Sequence, residues 1–258
     1  MNSCIDPLWD NCTLDKAAKE QLDFDGHYAF PGVLNQSTQK RLTEALAAIE
    51  DLRKDEDRFD GPKPLHMYAA EYNEYLASLV AHPQLLKLAR ETLGDDIRYD
   101  HTVTLNRHPG SNGVGWHSHG YAEDEPSLGF VRIFFYVNGF DPNDSALKVV
   151  PGSHHYRDAQ ISAGLKDEDL QEKWLAGKAH PLSGEPLRIE RLVAPPGTII
   201  LMWTHAAHAV TSRISTDSTR WTVVYAYRNP GRESGARQIS AAFEANPADG
   251  AEGLMPLY

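Results

Sequence analysis

From about residue 96 onward the chain is built of short runs of β-branched and aromatic residues broken by turn residues. Four such runs are TVTL at 102–105, VRIFFYV at 131–137, TIILMW at 198–203 and TVVYAY at 222–227. Proline-led turn pairs separate several of them, at 109–110, 142–143 and 151–152. The runs favour strands and the pairs favour turns. Because most runs follow one another without a helix between them, the pattern predicts an antiparallel sandwich or barrel rather than a parallel α/β sheet.

The first hundred residues are predicted to be mostly helical. Leu42, Leu46 and Ile49 recur at helical spacing, and Ser37 is the candidate N-cap of that helix. Further helices are expected at 68–80, at 83–93 and, as an insertion among the strands, near 166–176. We therefore expect a single domain over 1–258, made of a helical layer at about 10–95, a β core at about 96–229 and a C-terminal tail at 230–258.

The charge of the chain excludes some classes of partner. The formal net charge is −11, with 36 acidic residues against 25 basic ones, and such a surface repels nucleic acid and anionic membranes. No segment approaches the roughly 20 apolar residues of a membrane span, and the N-terminus lacks the basic and apolar regions of a signal peptide. We expect a cytoplasmic protein that acts on a small molecule without nucleic-acid or membrane partners. The sequence leaves the oligomeric state open.

Two histidines at positions 117 and 119 form the most specific local pattern. In an extended chain, the side chains at i and i+2 point to the same face, so His117 and His119 can share one metal ion. His208 follows another predicted strand, and a strand pairing could bring it opposite His117. Arg220 precedes an apolar run, where it needs either an acidic partner at the rim or a ligand carboxylate to clamp.

The order of these motifs resembles a known family. The succession HSH, ALKVVPGSHH, PPGTIILMW, HAAHAV and a final arginine is similar to the phytanoyl-CoA dioxygenase family, and FDGHYAFPGVLN resembles that family's opening strand. The resemblance spans about residues 22–229. It implies a mainly β fold, a double-stranded β-helix of the jelly-roll or cupin-like type with N-terminal helices. It also implies Fe(II) as the metal, 2-oxoglutarate as cosubstrate and O2 as oxidant.

The resemblance also implies roles for individual residues. His117 and His208 fall on the first and the distal metal ligands, and Arg220 falls on the arginine that binds the far carboxylate of 2-oxoglutarate. Tyr136 occupies the place of a tryptophan that contacts the cosubstrate.

Three further residues are weaker candidates for the cosubstrate site. His101 and Val103 lie on the run that resembles the strand lining this site. Ser212 could supply a hydroxyl, although the usual serine position holds Val210.

One departure from the family pattern bears on the chemistry. His119 stands where the family usually has an aspartate, the carboxylate of a two-histidine, one-carboxylate iron site. His119 can replace that carboxylate as a third imidazole ligand, or a carboxylate from Glu123, Asp124 or Glu125 can reach the metal instead. In a third alternative His119 does not coordinate, and the site keeps two protein ligands or is inactive. Because an imidazole fills the space that a halide would need, we do not expect halogenation.

We therefore expect an iron- and 2-oxoglutarate-dependent oxygenase that oxidises, by default hydroxylates, a small metabolite such as one of secondary metabolism. Two alternatives stay open, namely a three-histidine iron dioxygenase that does not use 2-oxoglutarate and an inactive β-helix that only binds. Loops at 55–67, 120–128 and 157–187 are expected to shape the pocket.

Overall fold

Two antiparallel sheets pack against each other in the computed structural model, which describes residues 6–119, 125, 127–157 and 161–258. In chain order the strands are β1 (His27–Phe30), β2 (Arg98–Thr104), β3 (Val114–His117), β4 (Phe130–Tyr136), β5 (Leu147–Val149), β6 (Glu190–Arg191), β7 (Thr198–Trp203), β8 (His208–Val210) and β9 (Thr222–Arg228). The larger sheet has the order β1-β7-β4-β9-β2, and the smaller one has the order β3-β8-β5-β6. This is the jelly-roll architecture that the sequence predicted.

The two faces of the larger sheet have different partners. On β4, Val131, Ile133 and Phe135 pack into the cluster shared with the N-terminal helices, whereas Phe134 and Tyr136 pack toward the smaller sheet. Since both faces are covered, β4 and β9 are buried along their whole length. Strands of this kind are near-continuous apolar runs, which is why they stood out in the sequence.

The N-terminal helices cover the outer face of the larger sheet. The α-helices are α1 (Lys16–Asp25), α2 (Gln36–Arg53), α3 (Glu74–Leu79), α4 (Pro83–Leu93), α5 (Asp167–Leu170) and α6 (Ala241–Ala245). Short 3-10 helices lie at Glu56–Arg58, Leu65–Glu71, Ser153–Tyr156 and Glu252–Leu254, and a π-helical turn at Gln171–Leu175 extends α5. The insertion predicted near 166–176 is formed by α5 and this turn.

Two helix boundaries differ from the predictions. The N-cap of α2 is Asn35 rather than Ser37, because the Asn35 side chain accepts a hydrogen bond from the backbone N–H of Thr38 at 2.7 Å. The helix expected at 68–80 is split into a 3-10 helix and α3. Asn73 caps α3 by accepting from the N–H of Leu76, and this places a helix start inside the predicted segment.

The segment after residue 229 is part of the folded core rather than a projecting tail. Ala251, Leu254 and Met255 are buried in the same apolar cluster as the N-terminal helices. Gly235, Ala236 and Gln238 line the cavity between the sheets. None of the described helices is both long and apolar enough to span a membrane.

Candidate metal centre and cosubstrate pocket

A cavity of about 390 Å³ lies between the two sheets. Side chains of β2 and β4 form one wall, and side chains of β3, β5 and β8 form the other. Four histidines and three arginines contribute to its lining, and no acidic side chain does so among the described residues. The described lining is therefore positively charged, whereas the overall charge of the protein is negative.

Three histidines meet on the wall formed by the smaller sheet. His117 on β3 and His208 on β8 are direct partners across the antiparallel pairing, and His119 follows two residues after His117. One ring nitrogen from each of the three lies within 4.8 Å of the others, so a single ion can contact all three. The pairing of β3 with β8 thus brings together two histidines that are 91 residues (208 − 117) apart in the sequence.

Backbone carbonyls fix the orientation of two of these rings. His117 Nδ1 donates to the carbonyl oxygen of Gly115 at 2.8 Å, and His208 Nδ1 donates to that of Ala206 at 2.9 Å. Because a carbonyl only accepts, each Nδ1 carries the proton and each Nε2 keeps its lone pair for a metal.

The third ring is held differently. His119 Nε2 accepts a hydrogen bond from Nη1 of Arg132 at 2.9 Å, and Arg132 comes from β4 on the opposite sheet. A guanidinium only donates, so Nε2 of His119 is also unprotonated. Arg132 was not among the predicted site residues, although its position as a lone charge within the apolar run VRIFFYV was a visible signal.

The surroundings keep all three imidazoles neutral. Burial is the main cause that lowers the pKa of His117, His119 and His208, and the positive charge of Arg132 lowers each of them further. Neutral imidazole is the form that binds a metal, and nitrogen donors suit a divalent transition ion such as iron. The residues present therefore fit the metal that the family resemblance implied.

Of the three acidic candidates for the third ligand, only Glu125 is among the described residues. Glu125 lies 3.8 Å from Arg232 in an ion pair and does not belong to the histidine group. Glu123 and Asp124 lie outside the described residues. Among the described candidates, His119 is the one in reach of His117 and His208.

Arg220 is buried at the other end of the cavity, with 2% of its surface exposed. Its Nη1 donates to the carbonyl oxygen of Ser145 at 2.8 Å and its Nη2 to that of Leu105 at 3.1 Å. The guanidinium carbon lies 5.1 Å from the centre of the Tyr136 ring. Burial lowers the pKa of Arg220 to about 10, so it stays protonated at neutral pH. With this burial and no acidic partner among the described residues, it is not a rim arginine paired with an aspartate.

Arg107 is a second arginine beside Arg220 that the sequence analysis missed. The two residues form an antiparallel bridge with reciprocal backbone hydrogen bonds of 2.9 Å, so their side chains project from the same face. The Arg107 guanidinium makes no hydrogen bond or ion pair with the described residues, and its Nε is buried. Burial lowers the pKa of Arg107. Because like charges directly opposite each other are destabilising, this pair suits an anion held between them.

The weaker sequence candidates fall at different places. Tyr136 and Val103 line the cavity. His101 also lines it, but its register partner Ala226 is shared with Arg132, so it lies at the metal end rather than at the Arg220 end. Ser212 does not line the cavity, because β8 ends at Val210 and the Ser212 hydroxyl accepts from the N–H of Gly113 instead.

The loops that were expected to shape the pocket contribute little of its described lining. Met67, the last residue of the 55–67 segment, borders the cavity, whereas no described residue of 157–187 does. Most of 120–128 lies outside the described residues. The segment 235–238 closes the cavity instead, and nothing in its sequence indicated that position.

Comparisons with known proteins agree with this architecture. The family model for phytanoyl-CoA dioxygenase (PhyH) matches residues 22–221. Among solved structures, the 2-oxoglutarate-dependent carbocyclase SnoK from nogalamycin biosynthesis is 18% identical, with a TM-score of 0.63 and 92% of each chain covered. EctD from S. alaskensis, solved with 2-oxoglutarate and 5-hydroxyectoine, is 18% identical, with a TM-score of 0.62 over 87% of this chain and 81% of that one.

HygX from Streptomyces hygroscopicus, solved with nickel and 2-oxoglutarate, is 15% identical, with a TM-score of 0.61 over 84% of this chain and 88% of that one. A comparison with curated protein sequences finds no match. At these identities the structures establish the shared fold, and the family model establishes the relationship. The chain belongs to the phytanoyl-CoA dioxygenase family of iron(II)- and 2-oxoglutarate-dependent oxygenases.

Proposed function

We propose that the protein hydroxylates a small metabolite at an iron centre held by His117, His119 and His208, with 2-oxoglutarate clamped by Arg220. The observation that carries this proposal is the placement of both groups in one cavity. The three histidines lie within 4.8 Å of one another at one end, and a buried arginine with no described acidic partner lies at the other.

The histidines would hold the metal through ring nitrogens that are already deprotonated. His117 and His208 need no rearrangement, because their backbone hydrogen bonds keep each Nε2 available. Pre-oriented ligands of this kind lose little entropy when the ion binds. Iron bound here would supply the oxidising chemistry, which O2 and the decarboxylation of 2-oxoglutarate drive.

Arg220 and Arg107 would bind the distal carboxylate of 2-oxoglutarate. The oxo-acid end of the cosubstrate would then point toward the histidines. Tyr136, whose ring lies beside Arg220, would complete this end of the site. A carboxylate between two guanidinium groups relieves their mutual repulsion. The clamp also explains why the buried Arg220 and the half-buried Arg107 lie side by side with no described acidic partner.

An apolar belt separates the two ends of the cavity. Val103, Phe134, Leu147 and Val210 line it between the histidines and the arginines. Such a lining excludes water and strengthens the charge interactions at either end. It would also protect reactive species formed during turnover from side reactions with solvent.

The arginine pair favours this function over a three-histidine dioxygenase that ignores 2-oxoglutarate. An enzyme of that kind oxidises a substrate bound directly to its metal and has no use for a carboxylate clamp at the far end of the cavity. A purely binding β-helix would not need three neutral imidazoles in reach of one ion.

The test is the anaerobic addition of Fe(II) and then 2-oxoglutarate, followed by visible absorption of the chelate and, after O2 is admitted, by succinate formation. We expect the band and slow succinate release for the wild type. Arg220→Gln should weaken 2-oxoglutarate binding at least tenfold, whereas Arg191→Gln, at an exposed ion pair with Asp167, should not. The absence of both the absorption band and succinate formation in the iron-loaded wild type would contradict the proposal.

A further inference from the structure

We propose that the segment 229–240, here called the covering segment, recognises the substrate, and that Oε1 of Gln238 accepts a hydrogen bond from a hydroxyl or amino group of that substrate. The inference rests on the proposed function, since it names the substrate class of the same site. It concerns the metal end of the cavity, away from the end at which Arg220 would hold 2-oxoglutarate.

The covering segment is fixed at both of its ends. At its start, the Asn229 side chain accepts a hydrogen bond from the N–H of Gly129 at 2.9 Å. At its end, the backbone N–H and the hydroxyl of Ser240 both donate to the carboxylate of Glu71, the N–H at 2.8 Å. Between these two anchors the segment borders the cavity through 235–238. A segment held in this way presents its side chains at fixed places, which lowers the entropy that a ligand loses on binding.

Gln238 is the polar side chain that this segment contributes to the cavity. Its backbone N–H donates to the carbonyl oxygen of Asp100 at 3.2 Å, which holds the segment against β2. Its side-chain Oε1 is buried and has no hydrogen-bond partner, and no other side-chain oxygen of the described lining is in this state. Because a buried carbonyl oxygen has lost its bonds to water, it is unfavourable unless a donor reaches it. An N–H or O–H of a bound molecule would be that donor.

A second hydrogen-bond acceptor, the ring of His101, lies beside Gln238. The ring is buried, and its Nδ1 lies 2.7 Å from Oδ2 of Asp100. Because a carboxylate only accepts, this Nδ1 carries a proton, and Nε2 of the neutral ring keeps its lone pair. Asp100 therefore positions both acceptors, His101 through its carboxylate and Gln238 through its backbone carbonyl.

The register of the larger sheet places these acceptors at the metal end. Ala226 on β9 is paired with His101 on one side and with Arg132 on the other, and Arg132 donates to His119. Neighbouring strands are about 4.8 Å apart, so the backbone of His101 lies roughly 10 Å from that of Arg132. A group bound by Gln238 and His101 would therefore lie close to the carbon that the iron centre oxidises.

The same acceptors are distant from the arginine pair that would hold 2-oxoglutarate. His101 and Arg107 are six residues apart (107 − 101), which at about 3.3 Å per residue corresponds to roughly 20 Å. The row of Val103, Val224 and Phe134 lies between them and is apolar. A cosubstrate that extends from the metal toward the arginines would leave the Gln238 end to the substrate.

Two small residues of the covering segment leave room for the substrate to enter. Gly235 is exposed and Ala236 is half-buried, and both border the cavity. A Cβ atom added to Gly235 would have no other heavy atom within 4 Å. Together with the neighbouring acceptors, this opening fits a small molecule that carries a hydroxyl or amino group near the oxidised carbon.

The experiment measures succinate formation with a panel of small diols, amino alcohols and cyclic polyols. Each compound is assayed beside derivatives in which one hydroxyl or amino group at a time is fully methylated and can no longer donate. We expect methylation of one group in an accepted compound to lower kcat/KM of the wild type at least about tenfold. The kind of group that is sensitive, hydroxyl or amine, identifies the donor.

Substitutions at position 238 show whether this donor binds Gln238. Gln238→Met should lower kcat/KM for the unmethylated compound about tenfold, and methylation should then cause little further loss, because both changes remove the same hydrogen bond. Gln238→Glu keeps an acceptor and should retain more activity than Gln238→Met. Gln21→Met, at an exposed position of α1, should behave as the wild type. The Kd for 2-oxoglutarate, from the anaerobic absorption band, should stay within about twofold of the wild type in every variant, because Gln238 lies away from the arginine pair.

Several results would overturn the inference while leaving the proposed function intact. These are a panel in which no compound stimulates turnover, full activity of Gln238→Met, or a Gln238→Glu variant that is no better than Gln238→Met. Methylation that costs Gln238→Met as much as it costs the wild type would show that the donor binds elsewhere. A weakened Kd for 2-oxoglutarate with unchanged use of the substrate would assign Gln238 to the cosubstrate instead. The absence of the absorption band in the wild type, by contrast, would contradict the proposed function itself.

Discussion

Arg132 reaches across from the larger sheet to donate a hydrogen bond to Nε2 of His119 at 2.9 Å. His117 and His208 are held through Nδ1 by carbonyl groups two residues before each of them, so their metal-facing nitrogens are not involved. For His119, the bond from Arg132 falls on a lone pair that a metal could use. If His119 bound the metal through this atom, Arg132 would have to move, and the occupancy of the proposed centre would then depend on the position of this arginine.

Substitutions at position 119 test whether this residue is a ligand. We expect His119→Ala to weaken Fe(II) binding by at least tenfold, because it removes one of three donors. His119→Asp should bind the metal more tightly than His119→Ala, since a carboxylate can supply the missing donor and also pair with Arg132. Anaerobic titration with Fe(II), followed by calorimetry, gives the affinities. Unchanged affinity in both variants would exclude His119 and point to a carboxylate at 123 or 124.

Removal of the second arginine tests the proposed clamp. Arg107→Gln should raise the Kd for 2-oxoglutarate about tenfold, because a charge-assisted hydrogen bond to a carboxylate contributes about 1.5–3 kcal/mol. The Kd should respond less steeply to salt than that of the wild type, since one of the two charges is gone. Titration of the anaerobic absorption band at several ionic strengths measures both effects. If only the thermal stability of the variant changes, Arg107 is structural.

Much of the centre could be predicted because its residues lie in patterned segments. The i, i+2 spacing of His117 and His119 indicated two side chains on one face of an extended chain, although β3 itself ends at His117. The apolar run after Arg220 marked a buried charge. The helix from Pro83 to Leu93 was bounded correctly by its first-turn proline and its terminal glycine.

The missed residues depend on pairings between distant segments. Arg107 becomes a candidate site residue only through its bridge to Arg220, which lies 113 residues later (220 − 107) in the sequence. Gln238 lies in an irregular segment whose path over the cavity is set by contacts with Asp100. Ser212 was misplaced because the end of β8 could not be located from sequence within two residues.

The metal should stabilise the fold in a way that can be measured. An ion that binds only the folded chain adds about 2.7 kcal/mol at a free concentration one hundred times its Kd. For a chain of this size that corresponds to a rise in Tm of roughly 5–10 °C. We expect this rise on anaerobic addition of Fe(II) and its reversal by a chelator. A Tm that does not respond in the wild type would argue against the centre, whereas loss of the response in His208→Ala would support it.

A buried histidine outside the cavity, His154, should contribute to the loss of folding stability at acid pH. His154 donates from Nε2 to the carbonyl oxygen of Asp23 at 3.0 Å, and its buried Nδ1 has no partner among the described residues. Burial, and then the charge of His155, lower the pKa of His154 from 6.5 to about 3. A proton added to Nδ1 would have no acceptor. The unfolded chain binds this proton below pH 6.5 and the folded chain does not, so folding stability falls as the pH drops from 6.5 toward 3.

Replacement of His154 by glutamine removes this titration but keeps an N–H donor for the Asp23 carbonyl. The free energy of unfolding in urea should therefore decline less steeply with acid in His154→Gln than in the wild type. The difference between the two slopes should approach but not exceed about 1.4 kcal/mol per pH unit below pH 6. Equal slopes in the two proteins would mean that His154 of the folded wild type takes up the proton. The His154 and His155 rings, whose centroids lie 3.9 Å apart, would then have to separate at acid pH. At pH 7 this titration contributes nothing to the free energy of unfolding. Any difference between His154→Gln and the wild type at pH 7 therefore measures the change in packing, and it is subtracted before the two slopes are compared.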